Sequence, residues 1–217
     1  MKKVAVILAG CGVYDGAEIN EVVLTLLHLS KAGAQYQAFA PDIEQLHVIN
    51  HLTGEEVEQS RNVLQEAARI VRGDIKAVTE LNPDEFDALI VPGGFGAAKN
   101  LSDFALKGVE AKVQTDVLAA CQGFAKANKA AGYMCIAPAM VPLIYGPGVI
   151  ATIGNDEGTA QAITQLGATH QTCTVDDIVV DETHKLVTTP AYMLAQDLAQ
   201  AETGIAKLVK QVLNMAI

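Results

Sequence analysis

Cys135 stands in the run Gly132-Tyr133-Met134-Cys135-Ile136-Ala137-Pro138, where a short apolar stretch, Tyr133 to Ile136, reaches a small-residue step and a new helical pattern begins at once. Such a run reads as a strand turning sharply into a helix. A thiol at that corner lies beside the free N–H groups of a helix start, whose partial positive charge favours an anion and lowers a cysteine pKa from its usual value of about 8.5. The chemistry on offer is that of a thiolate nucleophile. The competing reading is one more buried cysteine at the end of a core strand.

Two other stretches carry residues that a nucleophile would need. One is Gly10-Cys11-Gly12-Val13-Tyr14-Asp15-Gly16, and the other is Pro92-Gly93-Gly94-Phe95-Gly96-Ala97-Ala98-Lys99-Asn100, where minimal side chains let backbone approach a ligand closely. If these loops converge on Cys135, the thiol is joined by backbone donors from Gly94 and Ile136 and by carboxylates from the start of the first helix, Glu18 and Glu21. That set is a nucleophile, an oxyanion hole and a proton carrier. Plainer readings compete: Pro92-Gly93-Gly94 as a tight turn, and the two glutamates as the complement of a helix dipole.

Other motifs point to less. The first loop lacks the third glycine of the dinucleotide fingerprint, and no GxxxxGK[ST] occurs, so a nucleotide site is not indicated. His47 and His51 are four residues apart, but no third ligand is evident and Val48-Ile49 favours extended backbone; no metal and no cofactor are expected. His170 with Cys173 makes a weaker case still. His28 reads as a surface residue, and Arg61, Arg69 and Arg72 as a solvated or ion-paired helix face.

Alternating strands and helices must position these groups. Lys3 to Leu8 is a near-continuous apolar strand, as expected when both sheet faces are covered. A helical stripe of Ile19, Val22, Val23, Leu26, Leu27 and Leu29 follows and stops at Ala32-Gly33, and Tyr36 to Ala40 is a second strand. Residues 42–74 break the pattern and read as an insertion, with a short extended piece at Val48-Ile49 and a helix from Glu55 to Val71. After a turn at Pro83 to Phe86, Ala88 to Val91 is a strand and Val109 to Ala131 a long helix. Tyr133 to Ile136 is the central strand, with helix from Ala139 to Ile144. Val149 to Ile153 (strand), Thr159 to Leu166 (helix), Ile178 to Val180 and Leu186 to Thr188 (strands), and Tyr192 to Met215 (helix interrupted near Gly204) complete the chain. The expected fold class is α/β: a doubly wound, mostly parallel sheet with helices on both faces, in one domain spanning residues 1–217.

Composition agrees with that class. The chain has 217 residues, half of them hydrophobic, enough for one full core. It carries 15 basic against 25 acidic residues, a formal −10, with no basic cluster to follow phosphates, so nucleic acid is not an expected partner. The apolar run after Met1-Lys2-Lys3 ends at Gly10 and is too short for a signal peptide or a span, so no membrane partner is expected. Cys11, Cys121, Cys135 and Cys173 show no paired spacing, which points to a reducing cytoplasm.

Several of these stretches, in this order, resemble the ThiJ/PfpI superfamily of class I glutamine-amidotransferase-like domains, and within it the bacterial branch called enhancing lycopene biosynthesis protein or sigma cross-reacting protein. The likeness rests on Gly10 to Glu21, His51-Leu52-Thr53-Gly54, Arg61-Asn62-Val63-Leu64, Pro92 to Leu101, Cys135-Ile136-Ala137-Pro138 and Val187-Thr188-Thr189-Pro190-Ala191. It implies a flavodoxin-like sandwich with Cys135 as the nucleophile-elbow cysteine. It also implies a glutamate of the first helix bonded to that cysteine, which maps to Glu21 with Glu18 as the other candidate, and oxyanion donors at Gly94 and Ile136 beside Gly93. The resemblance further implies a homodimer and a cofactor-independent glyoxalase that converts glyoxal to glycolate through a cysteine hemithioacetal, with a small aldehyde as its partner. Redox sensing in a stress response and protein deglycation are the alternatives that use the same cysteine. Many members of the superfamily have histidine directly after the cysteine, where this chain has Ile136, and the branch often has histidine where this chain has Asn20. His51 is the remaining histidine that belongs near such a site.

Overall fold

A computed structural model describes residues 1–216. Its core is a seven-stranded sheet in the order β3-β2-β1-β4-β5-β9-β8. The strands are β1 (Lys3–Ile7), β2 (Gln35–Ala40), β3 (Ile75–Ala77), β4 (Ala88–Val91), β5 (Ala130–Met134), β6 (Ile150–Ala151), β7 (Thr169–His170), β8 (Val179–Asp181) and β9 (Leu186–Thr189). The helices are α1 (Ile19–Lys31), α2 (Val63–Ala67), α3 (Phe95–Lys99), α4 (Phe104–Lys107), α5 (Thr115–Lys126), α6 (Val141–Tyr145), α7 (Glu157–Gln165) and α8 (Leu198–Met215). All neighbours in the large sheet run parallel except β8 and β9, which form an antiparallel edge hairpin. β6 and β7 pair as a separate parallel ribbon. Among the described residues no helix is long and apolar enough to cross a membrane.

The doubly wound architecture follows from the pattern of apolar residues. β4 and β5 are buried at every position and β1 from Val4 onward, because helices cover both faces of the sheet. α1 and α8 pack together on one face, where His28 lies half-buried with its Nε2 2.7 Å from Glu202 Oε1. After β1 the chain winds outward to β2 and β3, and after β3 it returns to the other side of β1. Strand order therefore reverses between β1 and β4, and the crevice beyond their carboxyl ends is where such sheets bind ligands.

Several element bounds depart from expectation. The central strand is Ala130–Met134 rather than Tyr133 to Ile136, because Cys135 takes φ +60°, which no pleated strand can continue. The long helix expected from Val109 to Ala131 shrinks to α5: Gln114 caps its start by accepting the Val117 N–H, and Ala130 and Ala131 pair with Ala88 and Leu89 as strand. In residues 42–74 only α2 is α-helical, capped by Asn62, while Ile49 bridges Glu56 and Glu44 bridges Asn62 in the irregular stretch before it. A 3₁₀ turn, Ala137–Met140, occupies the step before α6. The last helix starts at Leu198, capped by Asp197, and runs unbroken through Gly204. A Cβ at Gly204 would stand 2.5 Å from the Val175 carbonyl oxygen and 2.6 Å from Thr189 Oγ1, so this glycine permits close helix–sheet packing rather than a break.

Candidate active site

Three turns meet at the carboxyl edge of the sheet. Directly after β5, Cys135 occupies the left-handed region at φ +60°, and its N–H donates to the Thr189 carbonyl at 3.1 Å. A β-branched or bulky residue is a genuine outlier at such φ, whereas the slim cysteine holds a tight strand-to-helix corner. Cys135 is buried, with 7% of the residue exposed.

After β4 comes Gly93-Gly94. Gly94 sits at φ +92°, and a Cβ there would overlap the Glu18 nitrogen and the Gly16 carbonyl oxygen. The turn is clamped onto the loop that follows β1: the Glu18 N–H donates to Gly93 O at 3.0 Å, Phe95 N–H to Val13 O at 2.8 Å and Gly96 N–H to Gly16 O at 2.8 Å. The glycines are small so that two loops can share this space.

Glu21, on the first turn of α1, is fully buried. Its Oε2 accepts the Gly93 N–H at 2.8 Å and its Oε1 accepts the Tyr192 N–H at 3.2 Å, and Oε2 and the Cys135 sulfur both flank Gly93, 2.9 and 3.0 Å from the point that a Cβ there would occupy. Burial, helped by the charge of Glu18, pushes this carboxyl up to about 8 against the pull of those N–H donors. It therefore keeps its proton near neutrality. Glu18 is placed differently: it is the N-cap of α1, and its Oε2 accepts the Glu21 N–H at 2.7 Å. Burial raises its pKa too, opposed by the N–H groups of Glu21 and Asn20.

The simple expectation that the corner lowers the thiol pKa needs correction. Burial is the largest influence on Cys135 and pushes it up, with the charge of Glu21 adding to it; the N–H groups of Gly94 and Ile136 pull the other way. While Glu21 is protonated, its charge no longer opposes the thiolate, so the pair holds at most one negative charge near neutrality. The two amides that oppose burial are the two expected as oxyanion donors.

His51 lies on the rim rather than against the sulfur. Its Nδ1 is 3.0 Å from the Ile49 carbonyl, its Nε2 is 3.2 Å from the Tyr14 nitrogen and 3.8 Å from Asp15 Oδ1, and its ring stacks on Tyr14 at 4.9 Å. An Nδ1–H donated to Ile49 and an Nε2 lone pair receiving the Tyr14 N–H use both ring nitrogens of a neutral imidazole. Arg61 and Arg69 both pair with the buried Glu66, at 3.7 and 3.0 Å, which is the ion-paired reading of those residues.

Tyr192 is the site residue that the residue pattern did not reveal. Its backbone N–H holds Glu21 and its hydroxyl accepts from Asn20 Nδ2 at 3.3 Å. The only sequence signal is its place directly after Thr188-Thr189-Pro190-Ala191, where Ala191 adopts φ +44° and turns the chain toward α1.

No family model matches the chain. Known proteins do. The mitochondrial ES1 protein homolog of Rattus norvegicus is 45% identical over 223 residues, covering 98% of this chain and 84% of the rat protein. A solved structure from Ehrlichia chaffeensis, described as an isoprenoid biosynthesis protein with an amidotransferase-like domain, is 34% identical, covers 99% of each chain and superposes with a TM-score of 0.93. DJ-1beta of Drosophila melanogaster, 17% identical with a TM-score of 0.53 over 99% of this chain and 95% of that one, shares the fold. With 45% identity along nearly its whole length to the rat protein, the chain belongs to the family of the ES1 proteins, which includes the human glutamine amidotransferase-like class 1 domain-containing protein 3.

Proposed function

We propose that this protein is a cofactor-independent glyoxalase that converts glyoxal, and related 2-oxoaldehydes, to the 2-hydroxy acid. One observation carries the reading: the Cys135 sulfur and the buried Glu21 carboxyl flank the same glycine, Gly93, within 3.0 Å of where its Cβ would stand, and burial pushes that carboxyl up to about 8. A nucleophile, a proton reservoir and two fixed N–H donors then surround one point.

In the reaction the ionised form of Glu21 takes the thiol proton as the sulfur bonds to an aldehyde carbon and the carbonyl π bond breaks, and it passes that proton to the oxygen held by the Gly94 and Ile136 N–H groups, giving the hemithioacetal. The carboxylate then takes a proton from that carbon and returns it to the neighbouring carbon. The first carbon is thereby oxidised to a thioester and the second reduced to an alcohol, so no external oxidant or reductant is consumed. Water adds to the thioester, the carbon–sulfur bond breaks, and the hydroxy acid leaves with the thiol restored. Glycolate release from glyoxal, followed for the wild-type protein and for Cys135→Ala, tests this. Turnover confined to the wild type is the expected result; glycolate from Cys135→Ala at the wild-type rate, or none from either, overturns it.

A second reading, oxidation sensing, draws on the same pair, because a protonated Glu21 is placed to hydrogen-bond a sulfinate oxygen on Cys135. Two added oxygens on Cys135 after mild peroxide, with no glyoxal turnover, would favour it. The partners proposed are a small aldehyde and a second copy of the chain; Ile19, Val23 and Leu27 give α1 an exposed apolar stripe that such a copy would cover, a point sedimentation tests. The compartment proposed is a reducing one such as the cytoplasm, which fits four free cysteines; the rat relative is named as mitochondrial.

A further inference from the structure

Beside the candidate active site lies a second feature that the glyoxal reaction does not use. A cavity of about 200 Å³ is walled by Tyr14, Ile49, Gly54, Phe95 and Lys99. The backbone links it to the chemistry. Phe95 follows Gly93-Gly94, the turn packed against Cys135 and Glu21, and the Phe95 N–H in turn holds Val13, the neighbour of Tyr14. Glyoxal, with four heavy atoms, has nothing to place there.

The cavity's chemistry is specific. Tyr14 and Phe95 are exposed aromatic rings, Ile49 is an aliphatic wall, and Lys99 is the cation among them. Lys99 Nζ lies 5.4 Å from the centre of the Phe95 ring and donates one hydrogen bond, to the Tyr14 carbonyl at 2.9 Å. An ammonium has three protons to donate, and among the described residues no carboxylate lies within 4.0 Å of this one. In a chain of formal charge −10, a half-buried lysine without an acidic partner beside a reactive cysteine is set to receive an anion from outside. The wall is itself firmly held: His51 stacks on the Tyr14 ring and takes the Tyr14 N–H, and Asp15 Oδ2 accepts the Ile49 N–H at 2.7 Å.

We infer that this cavity is a substrate subsite, and that the preferred substrates are 2-oxoaldehydes whose carbonyl end reaches Cys135 while a planar or short apolar body lies between Tyr14 and Phe95 and a carboxylate pairs with Lys99. The inference rests on the aldehyde chemistry proposed above and adds the substrate class. Its test compares phenylglyoxal with 4-carboxyphenylglyoxal, which differ only in the distal carboxylate. In the wild-type protein kcat/KM should favour the carboxylated compound by about tenfold, the scale of one partly exposed charge-assisted hydrogen bond. Lys99→Met should bring that ratio to about one, and Lys99→Arg should keep it. A wild-type ratio within twofold, or a ratio that survives in Lys99→Met, overturns the subsite. Binding of mandelate and 4-carboxymandelate to Cys135→Ala, measured by calorimetry, needs no turnover and so separates the two proposals. Preference for 4-carboxymandelate that Lys99→Met abolishes supports the subsite even if no aldehyde is converted, and equal binding overturns it.

Discussion

Gly93 and Cys135 come together so closely that a Cβ on the glycine would overlap Cys135 Cβ and stand 3.0 Å from its Sγ and 2.9 Å from Glu21 Oε2. The residue before Gly94 is thus kept small by Cys135 itself. Gly93→Ala should displace either the thiol or the carboxyl, at a stability cost of about 1–3 kcal/mol typical of overpacking. Alkylation of Cys135 should change in rate while far-ultraviolet circular dichroism stays that of the wild type. An alanine variant with unchanged alkylation and glyoxal turnover would show that the space is not filled as described.

The raised pKa of Glu21 makes stability depend on pH in a definite direction. In the unfolded chain this carboxyl ionises near 4.5, and in the folded protein near 8. Between those values the folded state binds the extra proton, so the stability that burial of the neutral acid contributes is complete below about pH 4.5 and is lost as pH rises through about 8. At about 1.4 kcal/mol per unit the loss is on the order of several kcal/mol. Urea midpoints should fall from pH 5 to pH 8 more steeply for the wild type than for Glu21→Gln, whose amide does not titrate. Parallel curves would mean that the proton resides elsewhere.

Asn100 joins three segments that are remote in the chain. Its Nδ2 donates to the carbonyls of Ala9 and Asp15, both at 2.9 Å, and its Oδ1 accepts the Leu46 N–H at 3.0 Å. The side chain is almost wholly buried, so Asn100→Ala leaves these groups without partners, at about 1–3 kcal/mol for each one that water does not reach. Hydrogen exchange should rise first in residues 45–57, which this contact and Asp15 hold against the loop after β1. Unchanged protection there would assign the anchoring to other contacts.

What the residues revealed in advance was local. The apolar runs of β1 and β4 and the helical stripe of α1 have the right type because burial on two faces, or on one stripe, leaves a periodic trace. The corner at Cys135 was visible through Ala137-Pro138, since proline suits the start of a helix and not its interior. Ala130 and Ala131 carry a helical preference in the sequence because alanine favours helix, and only pairing with β4 overrides it. The Tyr192 contact left no side-chain trace, because what it gives Glu21 is a backbone N–H. The upward push on the thiol was hidden for another reason: helix-end polarity is written in the local sequence, but burial is set by everything packed around it.

The two glutamates of α1 are chemically alike in sequence and differ in what their oxygens touch, so paired substitutions separate them. Glu18 spends Oε2 on the Glu21 N–H as a helix cap, a task that the carbonyl oxygen of glutamine performs as well. Glu21 reaches the thiol with a carboxyl that carries a transferable proton, which glutamine cannot supply. In the glyoxal reaction Glu21→Gln should therefore lower kcat by about 10²–10⁴, the usual share of general acid–base catalysis, whereas Glu18→Gln should stay within about threefold of the wild type. Glycolate release by the two purified variants measures this directly. Equal losses would mean that α1 acts through its position alone, and a larger loss for Glu18→Gln would reverse the roles given to the two carboxyls.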